Sequence, residues 1–307
     1  YMWTTANDFL NNPTYTLMFF AIPGYIASFY LKDMGLFVSI FEKFSVVAVA
    51  LLAIRFFMEF IIRSTVPEYM TFSYNLLLPT TFILLLCIKK FKLYRAAVAI
   101  LGVGLIFVAG CRGALLGAVI SSLIYIFFFG KLDKNTRYKI TILLIALLLI
   151  VLFFYDPILQ AVSRKLTGIG LNSRTLEKLL NSSITDDSGR GNILQKAMSN
   201  VDLFGHGLWG DRVILNGKYP HNIMAEILID YGCILGSGIL ILLIFVLLRG
   251  LHKANVLMSI ALCSLLSTGI VKLLLSGSFV NQEPAFYVLI GLCANSERIS
   301  CIKRMVE

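Results

Sequence analysis

Much of what a soluble enzyme needs is scarce in this chain. Charged residues make up 14% of the 307 and hydrophobic residues 58%, with a mean hydropathy of +0.83. So much apolar surface has no place in water, and the composition implies a polytopic membrane protein. Nowhere do polar and apolar residues alternate through successive strands of roughly ten positions, which excludes a transmembrane barrel. The apolar runs are continuous, and in lipid a helix is then what satisfies the backbone. There is no internal repeat and no low-complexity tract. Six cysteines lie in or beside apolar runs or on the inner side, and positions 156–220 hold none. No disulfide framework follows, and no zinc-ligand spacing occurs.

What the chain does contain is nine apolar segments, near 16–31, 44–62, 74–88, 93–110, 113–130, 139–155, 221–248, 255–275 and 281–295. A helix needs about 20 residues to cross the hydrocarbon core. The expected fold class is therefore all-α, a transmembrane helical bundle of about nine spans. One large loop containing short helices interrupts it. The expected parts are N-terminal membrane helices at 1–155, the loop at 156–220 and C-terminal membrane helices at 221–307.

The net charge of +10 would suggest nucleic acid as a partner for a soluble protein, but here the cations sort by side of the membrane. Lys32 and Lys43, then Lys89, Lys90, Lys92 and Arg95, then Lys131, Lys134, Arg137 and Lys139, then Arg249 and Lys253, then Arg298, Lys303 and Arg304 fall in alternate short loops. The positive-inside rule makes those loops cytoplasmic, so the lipid bilayer is the partner and the 156–220 loop faces outside. Residues 1–15 then lie outside as well. Because the chain starts at Tyr1, an odd number of upstream helices is expected before it.

Charge within an apolar run is costly and marks candidate sites. Arg55, Glu59 and Arg63 recur at every fourth position and share one helix face. They are either a paired ladder that fixes helix packing or one wall of an outward-opening cavity for an anionic headgroup. Arg112, in Gly110-Cys111-Arg112-Gly113-Ala114, stands where two spans meet almost without a loop. It either snorkels to the interface or grips phosphate oxygens with its guanidinium fork.

The 156–220 loop carries eight basic and six acidic residues. Its early part, with Arg164, Lys165, Arg174 and Lys178, reads as an amphipathic surface segment. In Asp186-Asp187-Ser188-Gly189-Arg190-Gly191, the serine or an aspartate can cap a helix starting near Arg190, and a metal reading of the paired aspartates is the weaker alternative. Gly205-His206-Gly207 can turn tightly, with His206 a solvated loop residue.

Tyr219-Pro220-His221-Asn222 enters the seventh apolar run, and the proline suits a helix start. His221 is thus placed at the outer mouth of the bundle, as an interfacial polar residue or as a base. Below it Asn222, Glu226 and Asp230 form a stripe, with Asp230 about 13 Å from His221 along the axis.

In their order these parts resemble the O-antigen ligase and polymerase superfamily of bacterial membrane glycosyltransferases. The arginine of Gly110-Cys111-Arg112-Gly113-Ala114 is followed by Ser188-Gly189-Arg190 in a large loop, then Gly205-His206-Gly207, then Pro220-His221-Asn222. Nine residues separate Asn222 from Gly232. The stretch from Asn12-Pro13 to Asp33 and the Phe72-Ser73-Tyr74 segment further resemble the polymerase branch. Two positions depart from the family pattern: Cys111 stands where serine is usual, and Gly236 falls one place late.

The resemblance implies a donor glycan carried on undecaprenyl pyrophosphate and transfer at the periplasmic face of the bacterial inner membrane. It implies no cofactor and no metal, with a chain-length regulator and a flippase as protein partners. Arg112 and Arg190 would hold the pyrophosphate, and His221 would receive the proton of the acceptor hydroxyl. Tyr219, Asn222, Glu226, Arg55 and Arg63 are the expected substrate contacts. The favoured activity is polymerisation of O-antigen or a related surface polysaccharide. The alternatives are ligation of the glycan to lipid A core and, from another class, transport of a lipid-linked glycan.

Overall fold

The computed structural model describes residues 15, 17–63, 68–129, 189–280 and 283–306, together with scattered positions between 134 and 149. Among the described residues all regular structure is helical. Each expected apolar segment coincides with helical structure, continuous or interrupted, apart from the one near 139–155, which lies largely outside the described residues. Among the described residues, four helical stretches are long and apolar enough to cross a membrane, at 34–62, 70–89, 223–253 and 256–275, and shorter apolar ones occur at 17–29, 93–109, 112–128 and 284–296. Contacts divide the chain into two units, one of residues 1–34 with 187–307 and one of residues 35–186.

In the first unit, a π-turn at Leu17–Ala21 leads into α1 (Ile22–Phe29). The second unit begins essentially with α2 (Met34–Arg63), followed by α3 (Tyr69–Lys89), α4 (Leu93–Ala109) and α5 (Arg112–Phe128). Its core joins Val49, Ala53 and Phe56 of α2 to Phe72, Leu76 and Leu77 of α3 and Leu105, Ile106 and Ala109 of α4. Gly110, at φ 91°, ends α4 in the left-handed region, which glycine tolerates best, and Arg112 opens α5 directly after it.

Arg95 departs from its expected place among the loop cations. It is buried and holds Glu42 of α2 through two bonds of 2.7 and 2.9 Å, while also donating to the carbonyls of Leu86 and Lys90. A carboxylate within an apolar helix needs such a partner, because an unpaired charge there is expensive. Arg55 pairs with Glu59 at 2.8 Å, as the ladder reading requires, and the side chain of Arg63 lies outside the described residues.

The first unit continues with α6 (Arg190–Ser199), α7 (Gly210–Ile214), α8 (Ile223–Tyr231), α9 (Ser237–Lys253), α10 (Val256–Leu266), α11 (Lys272–Leu275) and α12 (Pro284–Val306). Small residues let α12 approach its neighbours closely. Gly291 faces Ser28 of α1 and Gly250 of α9 faces Cys293, while Asn295 donates to the carbonyl of Leu31 at 2.8 Å.

The seventh apolar run is not one helix. Gly232, with φ 76° and ψ 173°, stops α8, and a π-turn at Gly232–Gly236 restarts the chain into α9. In an unbroken helix the Cys233 and Ile234 amides would donate to the carbonyls of Ile229 and Asp230. Here the strap 202–207 has entered that gap. Cys233 N–H donates to Asp202 O (2.8 Å) and Ile234 N–H to Leu203 O (3.3 Å), while Ile229 O accepts from His206 N–H (3.0 Å) and Asp230 O from Gly207 N–H (2.8 Å). All four backbone groups opened by the break are thereby satisfied, a condition for breaking a helix beside lipid.

Candidate functional site

The polar centre of the first unit is built on α8. Its N-cap Asn222 accepts from the amides of Met224 (2.9 Å) and Ala225 (3.2 Å), a cap that ties down the first turn. The same side chain donates to Leu274 O at 3.3 Å. Asn222, expected to contact substrate, here also holds the helix start against α11.

One turn on, Glu226 is fully buried. It accepts from Arg212 Nη1 at 2.9 Å, from the Ser278 hydroxyl and from the Phe279 amide at 3.3 Å. Its partner in this structure is therefore an arginine and not an open cavity. Another turn on, Asp230 accepts from the amides of Trp209 (3.2 Å) and Asp211 (3.0 Å), anchoring the start of α7. The carboxylate stripe of α8 faces protein along its length, as charge near lipid must.

Arg212 joins these elements. Its guanidinium binds Asp211 beside it on α7, Glu226 on α8 and Ser278 in the 276–283 segment (2.6 Å). It also lies 4.9 Å from the centre of the Tyr219 ring and 6.0 Å from that of Trp209, within reach of cation–π attraction. A planar fork with five donors suits several acceptors at fixed angles, which an ammonium group cannot match.

On the Tyr219 side stands His221, its ring centre 4.1 Å from the tyrosine's. The His221 backbone is left-handed, φ 56°, an uncommon state for a residue with a side chain. Its Nδ1 is buried without a protein hydrogen-bond partner, so packing on Tyr219 sets the ring's orientation. Burial, with the positive potential of Arg190 and Arg212 added to it, lowers the imidazole pKa to about 4. His221 is therefore neutral at neutral pH, the form able to accept a proton.

Burial also raises the Tyr219 hydroxyl against the opposing pull of Arg212 and Arg190. Asp211 is pushed up to about 6 by burial, opposed by Arg212 and assisted by Asp230. At the rim, Glu283 is raised by burial and opposed by Lys272, with which it pairs. Arg190, the first residue of α6, follows Gly189 at φ 76° and donates to Leu275 O at 3.3 Å.

Residues 97–240 match the model of a family described as O-antigen ligase. That span carries a domain of the O-antigen ligase family. No curated protein and no solved structure matches the chain.

Of the expected site residues, Arg190, Tyr219, His221, Asn222 and Glu226 lie in one unit, while Arg55, Arg63 and Arg112 belong to the other, and Arg55 and Arg63 fall outside the matched span. His206 proves to be a brace, its Nε2 3.0 Å from Asn200 O. Asp186 and Asp187 fall outside the described residues. Reading the sequence missed Arg212, Trp209 and Ser278. The available signal was Glu226: a carboxylate on an apolar helix needs a cation, and Arg212 is the nearest arginine before it in the chain.

Proposed function

We propose that this protein is a membrane glycosyltransferase that joins undecaprenyl-pyrophosphate-linked repeat units at the periplasmic face, an O-antigen polymerase. The observation that carries the reading is His221 packed at 4.1 Å on Tyr219, whose ring lies 4.9 Å from the Arg212 guanidinium, within the span that matches the O-antigen ligase family. In the reaction the anomeric C–O bond to pyrophosphate breaks and the acceptor hydroxyl oxygen bonds to that carbon. His221 takes the hydroxyl proton, and Arg190 offsets charge growing on the departing pyrophosphate. Arg112 is proposed as a further phosphate ligand on its sequence pattern alone.

His221→Ala should lower turnover by about 10²–10⁴ if the imidazole is a general base. The test is a purified protein given lipid-linked repeat units. A ladder of lengthened glycans lost in the variant supports the proposal, and a variant as active as the parent rejects it. The description of the matched family favours one second reading, ligation. Transfer only to a lipid A core acceptor, with no ladder, would select it.

A further inference from the structure

The strap that fills the break between α8 and α9 carries two large apolar side chains outward. Leu203 is 59% and Phe204 82% exposed. Their position along the chain's membrane axis can be counted. The basic end of α9, with Arg249, His252 and Lys253, marks one water boundary. From Lys253 back to Cys233 is a rise of about 30 Å, the thickness of the hydrocarbon core. The other boundary therefore falls at the π-turn, where Ile234 and Leu235 are 64% and 59% exposed. The strap is bonded to that turn, with Asp202 and Leu203 receiving the Cys233 and Ile234 amides.

We propose that Leu203 and Phe204 form a wedge inserted among the lipid acyl chains at the hydrocarbon boundary, continuing the lipid-facing surface of α9 through Ile234 and Leu235. Three features support lipid as the occupant. The patch is continuous with the exposed apolar face of a candidate membrane span, including Ile241 and Phe245. It lies at the depth where interfacial apolar side chains reside, about 5–10 Å into the headgroup and acyl boundary. Polar residues of the strap, Asp202 before it and His206 after it, flank it on the chain as an interfacial anchor requires. The wedge would fix the height of the segment leading to Trp209 and Arg212 relative to the bilayer, and it does not depend on the reaction proposed above.

The test is Phe204→Trp, with Leu203→Trp as a second variant, in the full protein reconstituted into phosphatidylcholine vesicles. Emission of the added tryptophan is taken as the difference from the parent, which retains Trp3 and Trp209. Loss of that emission in lipid brominated near the headgroup end of the chain, with smaller loss for bromine near the chain terminus, is the expected result. Quenching by aqueous iodide with none by brominated lipid would overturn the proposal and put the patch in water. Protection from both quenchers would overturn it too, showing a covering protein surface.

Discussion

Gly205 and Gly232 meet backbone to backbone, at φ 77° and 76°, so that a Cβ on either would collide with the main chain of the other. This contact is what lets the strap enter the broken helix. Gly205→Ala and Gly232→Ala should each lose the freedom of positive φ, about 1–3 kcal/mol, and add the cost of collision. Gly207→Ala, at φ 85° but in open space, should lose only the former. Thermal unfolding in detergent checks the ranking. Equal midpoints for the three would remove the close approach as the cause.

Arg212 and Glu226 form a buried pair, and breaking one side leaves a carboxylate unpaired. Arg212→Met is expected to destabilise by about 3–5 kcal/mol, and Glu226→Gln added to it to recover part of that loss. A double-mutant cycle on denaturant unfolding measures the coupling. Simple additivity would mean the two side chains do not stabilise each other.

The pH dependence of catalysis follows from His221, whose pKa is lowered to about 4 from 6.5. The acid limb of kcat/KM, which reports the free enzyme, should fall close to pH 4 and be absent near 6.5. Removing positive charge with Arg190→Gln should move that limb upward, toward neutral pH. A limb already at the ordinary histidine value would show the imidazole to be solvated, contrary to its packing on Tyr219.

Stability should carry two opposed slopes. His221 has a depressed folded pKa, so its contribution is present above 6.5 and lost as pH falls toward about 4. Asp211 has a raised one, so its contribution is present below 3.8 and lost as pH rises through about 6. Between these limits they offset each other. Asp211→Asn should expose a loss of stability on acidification, and His221→Gln a loss on raising pH over the same window. Melting curves across the window distinguish the two signs.

Arg190 tests the chemistry of the cation. Lysine there should restore only part of the activity lost in Arg190→Ala, because a point charge cannot reproduce two parallel donors. Glycan ladders from the three proteins read this directly. Full activity with lysine would mean that charge alone suffices.

How much was legible varies with the range of the interaction. Positions of the apolar helices followed from runs of side chains that must leave water, a property each segment has by itself. Asn222 carries a local signal as well, since a cap acts on the amides of its own first turn, but in the sequence it reads as part of the stripe and as a substrate contact. The division of the seventh run escaped that reading, because Ile223–Lys253 is apolar throughout, and only the strap's four hydrogen bonds make a break at Gly232 tolerable.

By itself, then, the sequence determined that the chain is helical and bound to lipid, and that a helix carrying buried carboxylates starts close after His221; His221 itself stands before the Asn222 cap and not on the first turn. Apolar transfer and local capping act over a few residues and leave a local signature. Only the tertiary structure decided which cation answers Glu226, that Tyr219 touches both Arg212 and His221, and that burial lowers the imidazole pKa. These depend on side chains from α7, α8 and the 276–283 segment meeting in a low-dielectric interior, and electrostatic partners that meet through folding leave no periodicity along the chain.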